Sequence, residues 1–201
     1  MAEPLAGGAL LELEGVRGLS LRLLPGEAVA AVGPLGCGKT ALLRIAAGLE
    51  PCESGERRLA SERTAIVFRQ GGLVRNITLA DNLLLPLYYQ ALPSSEAEER
   101  ASAALEAFGL APFASERPGG LSNDSRILAQ FARATALGAD LLFVDDAFSQ
   151  LTRSAAAKAE RWLKDELVKG CLAVMMTGVE AQAIPQLPTR IVELAGPGAA
   201  S

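Results

Sequence analysis

Short apolar runs separated by longer amphipathic stretches make up most of this chain. The runs predict strands over residues 10–13, 20–24, 28–32, 57–60, 64–68, 141–144, 172–177 and 190–194. Apolar residues at helical spacing predict helices over residues 40–47, 95–108, 124–137 and 153–169. Because apolar strands alternate with helices, we predict an α/β fold with a buried, mostly parallel sheet.

The stretch over residues 77–138 differs from the rest because its pattern is helical and contains no strand. We therefore predict an inserted helical lobe at 77–138 and a core made of residues 1–76 and 139–201, which together form a single domain, 1–201. Local signals indicate some helix ends. Ser95 and Glu98 have the spacing of a capping box, and Gly48 stands where glycine commonly ends a helix.

A glycine-rich motif lies between the strand predicted at 28–32 and the helix that follows it. Residues 33–40 read Gly-Pro-Leu-Gly-Cys-Gly-Lys-Thr and match G-x-x-x-x-G-K-[ST] in full. In such a loop the glycines let backbone N–H groups surround phosphate oxygens, Lys39 supplies a cation, and the Thr40 hydroxyl can bind Mg²⁺. The N-terminus of the helix adds its own positive end. The alternative interpretation is a plain glycine turn.

Composition removes several classes of function. The 201 residues include no histidine, which excludes a histidine metal site and a histidine general base. The net charge of −4 and the scattered basic residues do not favour a nucleic-acid partner. No apolar run reaches the roughly 18 residues of a membrane span, and the first residues lack the basic start of a secretory signal. Three widely spaced cysteines are typical of reduced thiols, so we expect a cytoplasmic protein.

With these positions laid out, the chain resembles the ATP-binding subunits of ATP-binding cassette (ABC) transporters over about residues 10–196. The family's Walker A loop and first helix match residues 33–51, and its signature region matches residues 117–134. The Walker B strand matches residues 141–145, and the segment after it matches residues 147–151. Residues 68–73 and 79–87 are similar to cassettes of the Mla type, which drive phospholipid traffic between bacterial membranes.

The resemblance implies a P-loop NTPase of ABC type, with helices flanking a mostly parallel sheet, a small antiparallel β part and an inserted helical lobe. It implies ATP and Mg²⁺ as ligands, with Asp146 as the catalytic residue and Thr40 and Asp145 as metal ligands. The implied partners are a transmembrane permease, contacted through the helical lobe at the inner face of the cell membrane, and a second cassette in a homo- or heterodimer. The residues implied to hold the nucleotide are Gly33, Pro34, Gly36, Cys37, Gly38, Lys39, Thr40, Ala41, Gln70 and Ser122.

Two positions near the expected nucleotide depart from the family pattern. The family places an aromatic residue before the P-loop to stack on adenine, whereas residues 15–19 contain none, and Arg17 is the alternative stacking group. The Q-loop glutamine, which touches Mg²⁺ and the attacking water in the family, aligns with Arg69, and Gln70 follows one place later. A guanidinium there would repel Mg²⁺ unless it points away, and a one-residue slip would restore Gln70.

The signature motif LSGGQ is replaced by Leu-Ser-Asn-Asp-Ser at residues 121–125. In the family this loop reaches the γ-phosphate held by the partner cassette, through a serine hydroxyl and glycine amides. Ser122 is kept, but Asp124 would place a carboxylate where a triphosphate sits, and side chains hinder close approach of the backbone. The alternative is that Asn123 or Asp124 simply caps the following helix, with binding to the partner's phosphate lost or weakened.

The catalytic positions after the Walker B strand are also altered. Asp146 stands where the family has glutamate, and it keeps a carboxylate that can orient water but is shorter by about 1.5 Å. The switch histidine aligns with Gly178, and the D-loop aspartate aligns with Thr152. We therefore expect the nucleotide-holding half of the site to be present and the catalytic half to be eroded.

Two further features have more than one interpretation. Cys37 at a helix N-terminus is either a redox-sensitive thiol or a small residue in place of serine, and the second account is simpler. The apolar segment 77–89 is either core or the lining of a groove for a permease's coupling helix, with Leu87, Tyr88 and Tyr89 as candidates.

Three hypotheses about function follow from these motifs. The first is the ATP-binding subunit of a bacterial ABC transport system, possible cargoes including lipids, in which hydrolysis is slow or absent. The second is a non-hydrolysing, ABC-like partner that regulates or supports an active cassette or a permease. The third is a different P-loop protein such as a small kinase, which the resemblance over residues 117–151 disfavours.

Overall fold

The strands of the molecule fall into two sheets. In the residues that the computed structural model describes (5–179, 185, 187 and 189–194), the strands are β1 (Leu11–Val16), β2 (Leu19–Leu23), β3 (Ala28–Val32), β4 (Glu56–Leu59), β5 (Thr64–Phe68), β6 (Leu141–Asp145), β7 (Ala173–Gly178) and β8 (Thr189–Glu193). The larger sheet has the order β5-β6-β7-β3-β8 with parallel neighbours throughout. The smaller sheet, β2-β1-β4, is antiparallel. The predicted α/β fold, with its mostly parallel sheet and small antiparallel part, is confirmed.

Helices cover both faces of the larger sheet. They are α1 (Lys39–Ala46), α2 (Leu79–Tyr89), α3 (Ser94–Ala107), α4 (Asn123–Leu137) and α5 (Arg153–Val168). Residues 77–138 hold α2, α3 and α4 and contain no strand. These three helices pack on one another, and α4 also packs on β5. None of the helices in the described ranges has the length and apolar character that a bilayer span requires.

Two predictions about helix starts are wrong. Helix α3 begins at Ser94 after Pro93, without a side-chain cap, so the expected capping box of Ser95 and Glu98 does not form. Ser95 lies inside the first turn because the extended Pro93 starts the helix one residue earlier. Helix α4 is capped by Ser122, whose hydroxyl accepts a hydrogen bond from the Ser125 N–H, and neither Asn123 nor Asp124 is its cap.

The reciprocal capping box that the structure does contain lies at the start of α2. The Asp81 N–H donates to the Thr78 hydroxyl at 3.1 Å, and the Thr78 N–H donates to the Asp81 carboxylate at 3.2 Å. This pair satisfies two first-turn donors and sets where α2 begins after the loop that follows β5.

The core is built on both faces of the parallel sheet. Along β3, the residues Ala28, Ala30 and Val32 face one buried cluster, which also contains the apolar sides of α2–α5. Val29 and Ala31 face the other cluster, formed with α1 and the antiparallel sheet. Both faces of the central strands β3, β6 and β7 are covered, and the carboxyl ends of β3, β5, β6 and β7 share one edge.

Candidate functional site

The carboxyl edge of the parallel sheet collects most of the residues singled out in the sequence. In the strand register, Phe68 pairs with Asp145, and Asp145 pairs with Thr177 on the next strand. On β3, Val32 pairs with Gly178, and the glycine-rich loop begins at the next residue. Residues from four separate segments of the chain therefore meet at this edge, as in open α/β sheets that bind ligands beyond their strand ends.

The glycine-rich loop, Gly33–Thr40, is called the P-loop below, and it depends on two of its glycines. A Cβ at Gly33 would lie 2.6 Å from the Leu194 carbonyl oxygen and 2.9 Å from the Cys37 sulfur. Gly38 has φ +92°, and a Cβ there would lie 2.5 Å from the Arg17 guanidinium. Side chains at these two positions would block the close approaches that shape the loop.

Lys39 reaches back over the P-loop. Its ammonium donates hydrogen bonds to the carbonyl oxygens of Gly33 (2.7 Å) and Pro34 (2.8 Å), and only 9% of the residue is exposed. No side chain caps the N-terminus of α1. The uncapped, positive end of α1 and a nearly buried cation therefore lie in the same loop, and both attract a phosphate group.

Asp145, at the end of β6, is held by two hydroxyl groups. The hydroxyls of Thr40 (2.9 Å) and Thr177 (3.0 Å) both donate to its Oδ1, and the Thr177 hydroxyl accepts from the Asp146 N–H at 3.0 Å. Sequence reasoning found Thr40 and Asp145 but missed Thr177. Thr177 could have been found in the sequence because it is a polar residue at the end of an apolar strand, and that strand lies next to β6.

The oxygen ligands at this position suit a magnesium ion. Mg²⁺ prefers oxygen and is usually held by one or two carboxylates together with substrate phosphates. The Thr40 hydroxyl and the Asp145 carboxylate lie in contact with each other at the P-loop. Within the described residues no group of three or more His, Cys, Asp or Glu side chains forms a metal site, and waters and phosphate oxygens would complete the coordination.

The two residues that follow β5 and β6 form an ion pair across the site. The Arg69 guanidinium lies 3.2 Å from Oδ2 of Asp146, whose side chain is only 15% exposed. Asp146 itself adopts a left-handed backbone conformation, with φ 48°. The Arg69 guanidinium therefore points at the carboxylate expected to act on water, and it occupies one of that carboxylate's oxygens with a donor.

A cleft of about 380 Å³ opens beside these residues. It is called the P-loop cleft below, and its lining residues are Thr40, Arg44, Phe68, Arg69, Gln70 and Asp145. Both Q-loop candidates, Arg69 and Gln70, thus reach the cleft. Ser122 is not among its lining residues, and the contact predicted for it, with the nucleotide of a partner cassette, stays a prediction.

The loop after β5 is anchored by three polar side chains that sequence reasoning missed. Gln130 of α4 is 1% exposed, and it accepts a hydrogen bond from the Phe68 N–H at 2.8 Å. Arg133 of α4 donates to the Gly72 carbonyl at 2.6 Å, and burial lowers the pKa of its guanidinium. Asn82 of α2 accepts from the Val74 N–H at 2.7 Å. In the sequence, each of these three residues is a polar residue at a helix position where the pattern predicts an apolar one, and this mismatch could have identified them.

The altered signature region is tied to the segment after β6 within the same chain. The Asp124 carboxylate accepts hydrogen bonds from the N–H of Thr152 (3.1 Å) and from its hydroxyl. Asn123 donates to the Gln150 carbonyl at 3.0 Å. The Ser122 hydroxyl is engaged in capping its own helix. Each polar group of this region therefore has a partner in its own chain.

The other predicted residues have simple surroundings. Cys37 is half-buried, with its sulfur 3.7 Å from the Lys39 ammonium, and Ala41 is half-buried in the first turn of α1. Leu87 is fully buried, so the expectation that it lines an exposed groove is wrong. Tyr88 and Tyr89 are exposed, the second almost completely.

The fold and this edge of the sheet together define a P-loop protein of the α/β class. The sequence model of the ABC transporter family matches residues 16–149, more than half of the chain, and the chain belongs to this family. The resemblance stated from the motifs is confirmed.

The relatives are ATP-binding proteins of transport systems by name. The chain is 33% identical over 165 residues to the sulfate/thiosulfate import ATP-binding protein CysA of Methylococcus capsulatus, a match that covers 75% of this chain and 47% of that protein. It is 33% identical over 147 residues to the lipoprotein-releasing system ATP-binding protein LolD of Roseobacter denitrificans, covering 65% of each. The chain thus spans about half the length of the CysA relative.

A solved structure has the same fold. It is a dimeric, post-hydrolysis state of an ATP-binding cassette bound to ADP and Pi, with a TM-score of 0.79 and 23% identity. The match covers 92% of this chain and 94% of that one.

Proposed function

We propose that this chain is the nucleotide-binding subunit of an ABC transport system, and that it holds Mg-ATP firmly but hydrolyses it slowly or not at all. The observation that carries the proposal is the group formed by Lys39, Thr40 and Asp145 at the P-loop, where a nearly buried cation lies beside a hydroxyl–carboxylate pair of 2.9 Å. The names of the two relatives described above, both ATP-binding proteins of transport systems, support it.

In this proposal each residue has a defined part. The P-loop amides and Lys39 hold the phosphate chain, with Gly33, Gly36 and Gly38 allowing the backbone to approach it. Thr40 and Asp145 hold Mg²⁺, which supplies positive charge at the phosphates. Arg17, beside Gly38, and Gln70, beside Thr40, are further contacts for the nucleotide.

Slow hydrolysis follows from the Arg69–Asp146 ion pair. A carboxylate that helps to deprotonate water must have a free oxygen within hydrogen-bond reach of it, and such help is usually worth about 10²–10⁴ in rate. Here one oxygen of Asp146 faces the Arg69 guanidinium at 3.2 Å, and Gly178 has no side chain to offer at the neighbouring strand end. The same ion pair favours the second candidate, a non-hydrolysing cassette that supports an active partner.

A direct test compares binding with turnover. Mg-ATP binding is measured by calorimetry and phosphate release by a coupled assay, for the unaltered chain and for Asp146→Glu combined with Gly178→His. We expect both proteins to bind Mg-ATP and only the double variant to release phosphate at a substantial rate. If the unaltered chain turned over ATP at about 1 s⁻¹, which is the low end for ordinary enzymes, the non-hydrolysing alternative would be excluded.

The permease contact is proposed for an apolar groove between α2 and β5, of about 500 Å³. Its exposed apolar residues are Leu49, Val74, Leu85 and Tyr89, and Tyr89 is 95% exposed. A patch of this kind between sheet and helices suits a cytoplasmic segment of a membrane protein. In this proposal the lobe of residues 77–138 forms one wall of the groove and the core forms the other, and the subunit works in the cytoplasm at the inner face of the membrane.

The permease proposal has a matched control on the same helix. Tyr89→Ser should reduce the fraction of the chain recovered with host membranes, because it removes an exposed ring from the groove. Tyr88→Ser should leave that fraction unchanged, since Tyr88 is exposed but does not line the groove. Equal effects of the two substitutions would exclude the groove as the contact.

We further propose that the subunit acts as a dimer, with itself or with a second cassette, and that a lipid or lipid-linked molecule is the cargo. The dimeric assembly of the structural neighbour and the similarity of residues 68–73 and 79–87 to Mla-type cassettes support these two points. The cargo test is transport of labelled phospholipid in host cells from which the gene is deleted, with sulfate uptake as the comparison.

A further inference from the structure

A second cleft, of about 590 Å³, lies between the loop after β5 and the loop before α4. It is called the arginine cleft below. Its charged lining residues are Arg75, Arg117 and Arg126, which come from the first loop, the second loop and α4 itself. No aspartate or glutamate is among the described residues that line it.

The three guanidinium groups have no acidic partner in the part of the chain that the structure describes, although the whole chain carries a net charge of −4. Arg126 donates one N–H to the Leu121 carbonyl at 3.0 Å, which fixes the direction of its guanidinium. Like charges gathered in one concave space raise the local positive potential, and that potential attracts an anion. The cleft is therefore a local concentration of positive charge on a chain whose net charge is negative.

We propose that the arginine cleft binds a small ligand with two or more adjacent phosphate groups. Arginine presents a planar fork that pairs with two phosphate oxygens at once, and three forks from separate segments suit several phosphate charges. The volume is within the range of small-molecule sites. A nucleic-acid backbone would need an extended basic track, and this site is a single concave cleft.

The cleft is distinct from the P-loop but touches the P-loop cleft at one residue. Gln70 lines both spaces, and it directly follows Arg69, the residue that pairs with Asp146. A ligand in the arginine cleft would contact the loop that carries this ion pair. The phosphate groups have two sources, a free polyphosphate or the phosphate tail of a nucleotide, and Leu73 and Pro118 give the cleft an apolar wall for an organic part.

The test uses the full chain with Lys39→Ala, so that P-loop binding contributes little and the result does not depend on the proposed function. Inorganic pyrophosphate and ADP are each titrated by calorimetry into this variant and into the same variant with Arg75→Gln and Arg117→Gln. Each arginine removed should weaken binding by roughly tenfold, the usual size for a charge-assisted hydrogen bond. Arg161→Gln, which removes an exposed arginine from α5, is the matched control and should change nothing.

The two ligands distinguish the sources. Loss of pyrophosphate binding assigns the cleft to a free polyphosphate, and loss confined to ADP assigns it to the phosphates of a nucleotide. Unchanged titrations of both ligands overturn the proposal. Thermal melts check that each variant is folded, and if the double variant is not, Arg75→Gln alone decides by the same criterion.

Discussion

The P-loop and the opposite side of the same site use their polar groups in different ways. At the P-loop, the backbone is shaped by close contacts at Gly33 and Gly38, and the N-terminus of α1 has no side-chain cap. On the other side, Asp146 pairs with Arg69, and Asp124 bonds to Thr152. One side thus leaves the N–H groups at the start of α1 without a side-chain partner, whereas the other pairs its charged side chains with each other or with neighbouring residues. This difference is why binding and hydrolysis separate in the proposed function.

The largest expected effect is the loss of Mg-ATP binding at the P-loop. Lys39→Ala should weaken Mg-ATP binding by about a hundredfold, because it removes a charged donor from the phosphate chain in a nearly buried site. Calorimetry of the purified chain measures it. Lys164→Ala removes an exposed lysine from α5 and should have no effect. Equal binding by the Lys39 and Lys164 variants would show that the P-loop does not hold the nucleotide.

The next effect concerns the opposite side. Arg69→Gln should raise the rate of phosphate release about tenfold, because it frees an oxygen of Asp146. The gain should stay below the factor of about 10²–10⁴ that full general-base assistance gives, because the Asp146 side chain is shorter than the family's glutamate. A phosphate-release assay checks it. Arg63→Gln is the matched control, because it breaks the Arg63–Asp140 ion pair (3.5 Å), which lies away from the site. The side chains of this pair are about as exposed as those of Arg69 and Asp146. A decrease on Arg69→Gln would instead assign Arg69 a helpful role.

A smaller effect tests the anchoring of the loop that carries Arg69. Gly71 and Gly72 have φ +80° and +79°, but a Cβ at Gly72 would lie 2.0 Å from Gln130, whereas Gly71 has open space. Both changes to alanine carry the same backbone strain, so their difference measures the contacts of the added Cβ, with Gln130 first and with the Phe68 ring at 3.0 Å second. Gly72→Ala should therefore lower the melting temperature by about 4–8 °C more than Gly71→Ala, for a cost of about 2 kcal/mol. Equal shifts would mean that Gln130 does not fix this loop.

The smallest effect tests the tie between the signature region and the segment after β6. Asp124→Ala removes the carboxylate that accepts hydrogen bonds from the N–H and the hydroxyl of Thr152, the N-cap of α5. The free energy of unfolding should fall by about 1 kcal/mol. Chemical denaturation measures this cost. Asp165→Ala, an exposed aspartate of α5, is the control for loss of a surface carboxylate. An effect no larger than the control's would show that the tie contributes nothing to stability.

The sequence was sufficient for those parts of the molecule that depend on local pattern. The bounds of β5 were predicted to the residue, and the meeting of Thr40 and Asp145 was implied by the resemblance to the ABC family. Parallel strands place their carboxyl ends at one edge, so residues 105 positions apart could be expected to meet.

Several of the missed features of the site depend on contacts between distant segments. The Arg69–Asp146 pair and the Gln130–Phe68 bond join residues 77 and 62 positions apart, and side-chain direction across such distances is not encoded in spacing. The N-cap of α4 was placed at Asn123 or Asp124, one or two residues late, because these residues and Ser122 are all good capping residues. The choice among them was made by tertiary contacts, since Gln150 and Thr152 engage the other two.

The most direct test of the account follows bound nucleotide and released phosphate in one sample of the unaltered chain with Mg-ATP. The account predicts saturable binding of about one nucleotide per chain and phosphate release far below about 1 s⁻¹. Rapid release would contradict the claim that the Arg69–Asp146 pair holds hydrolysis back, and absence of binding would contradict the claim that the P-loop is intact.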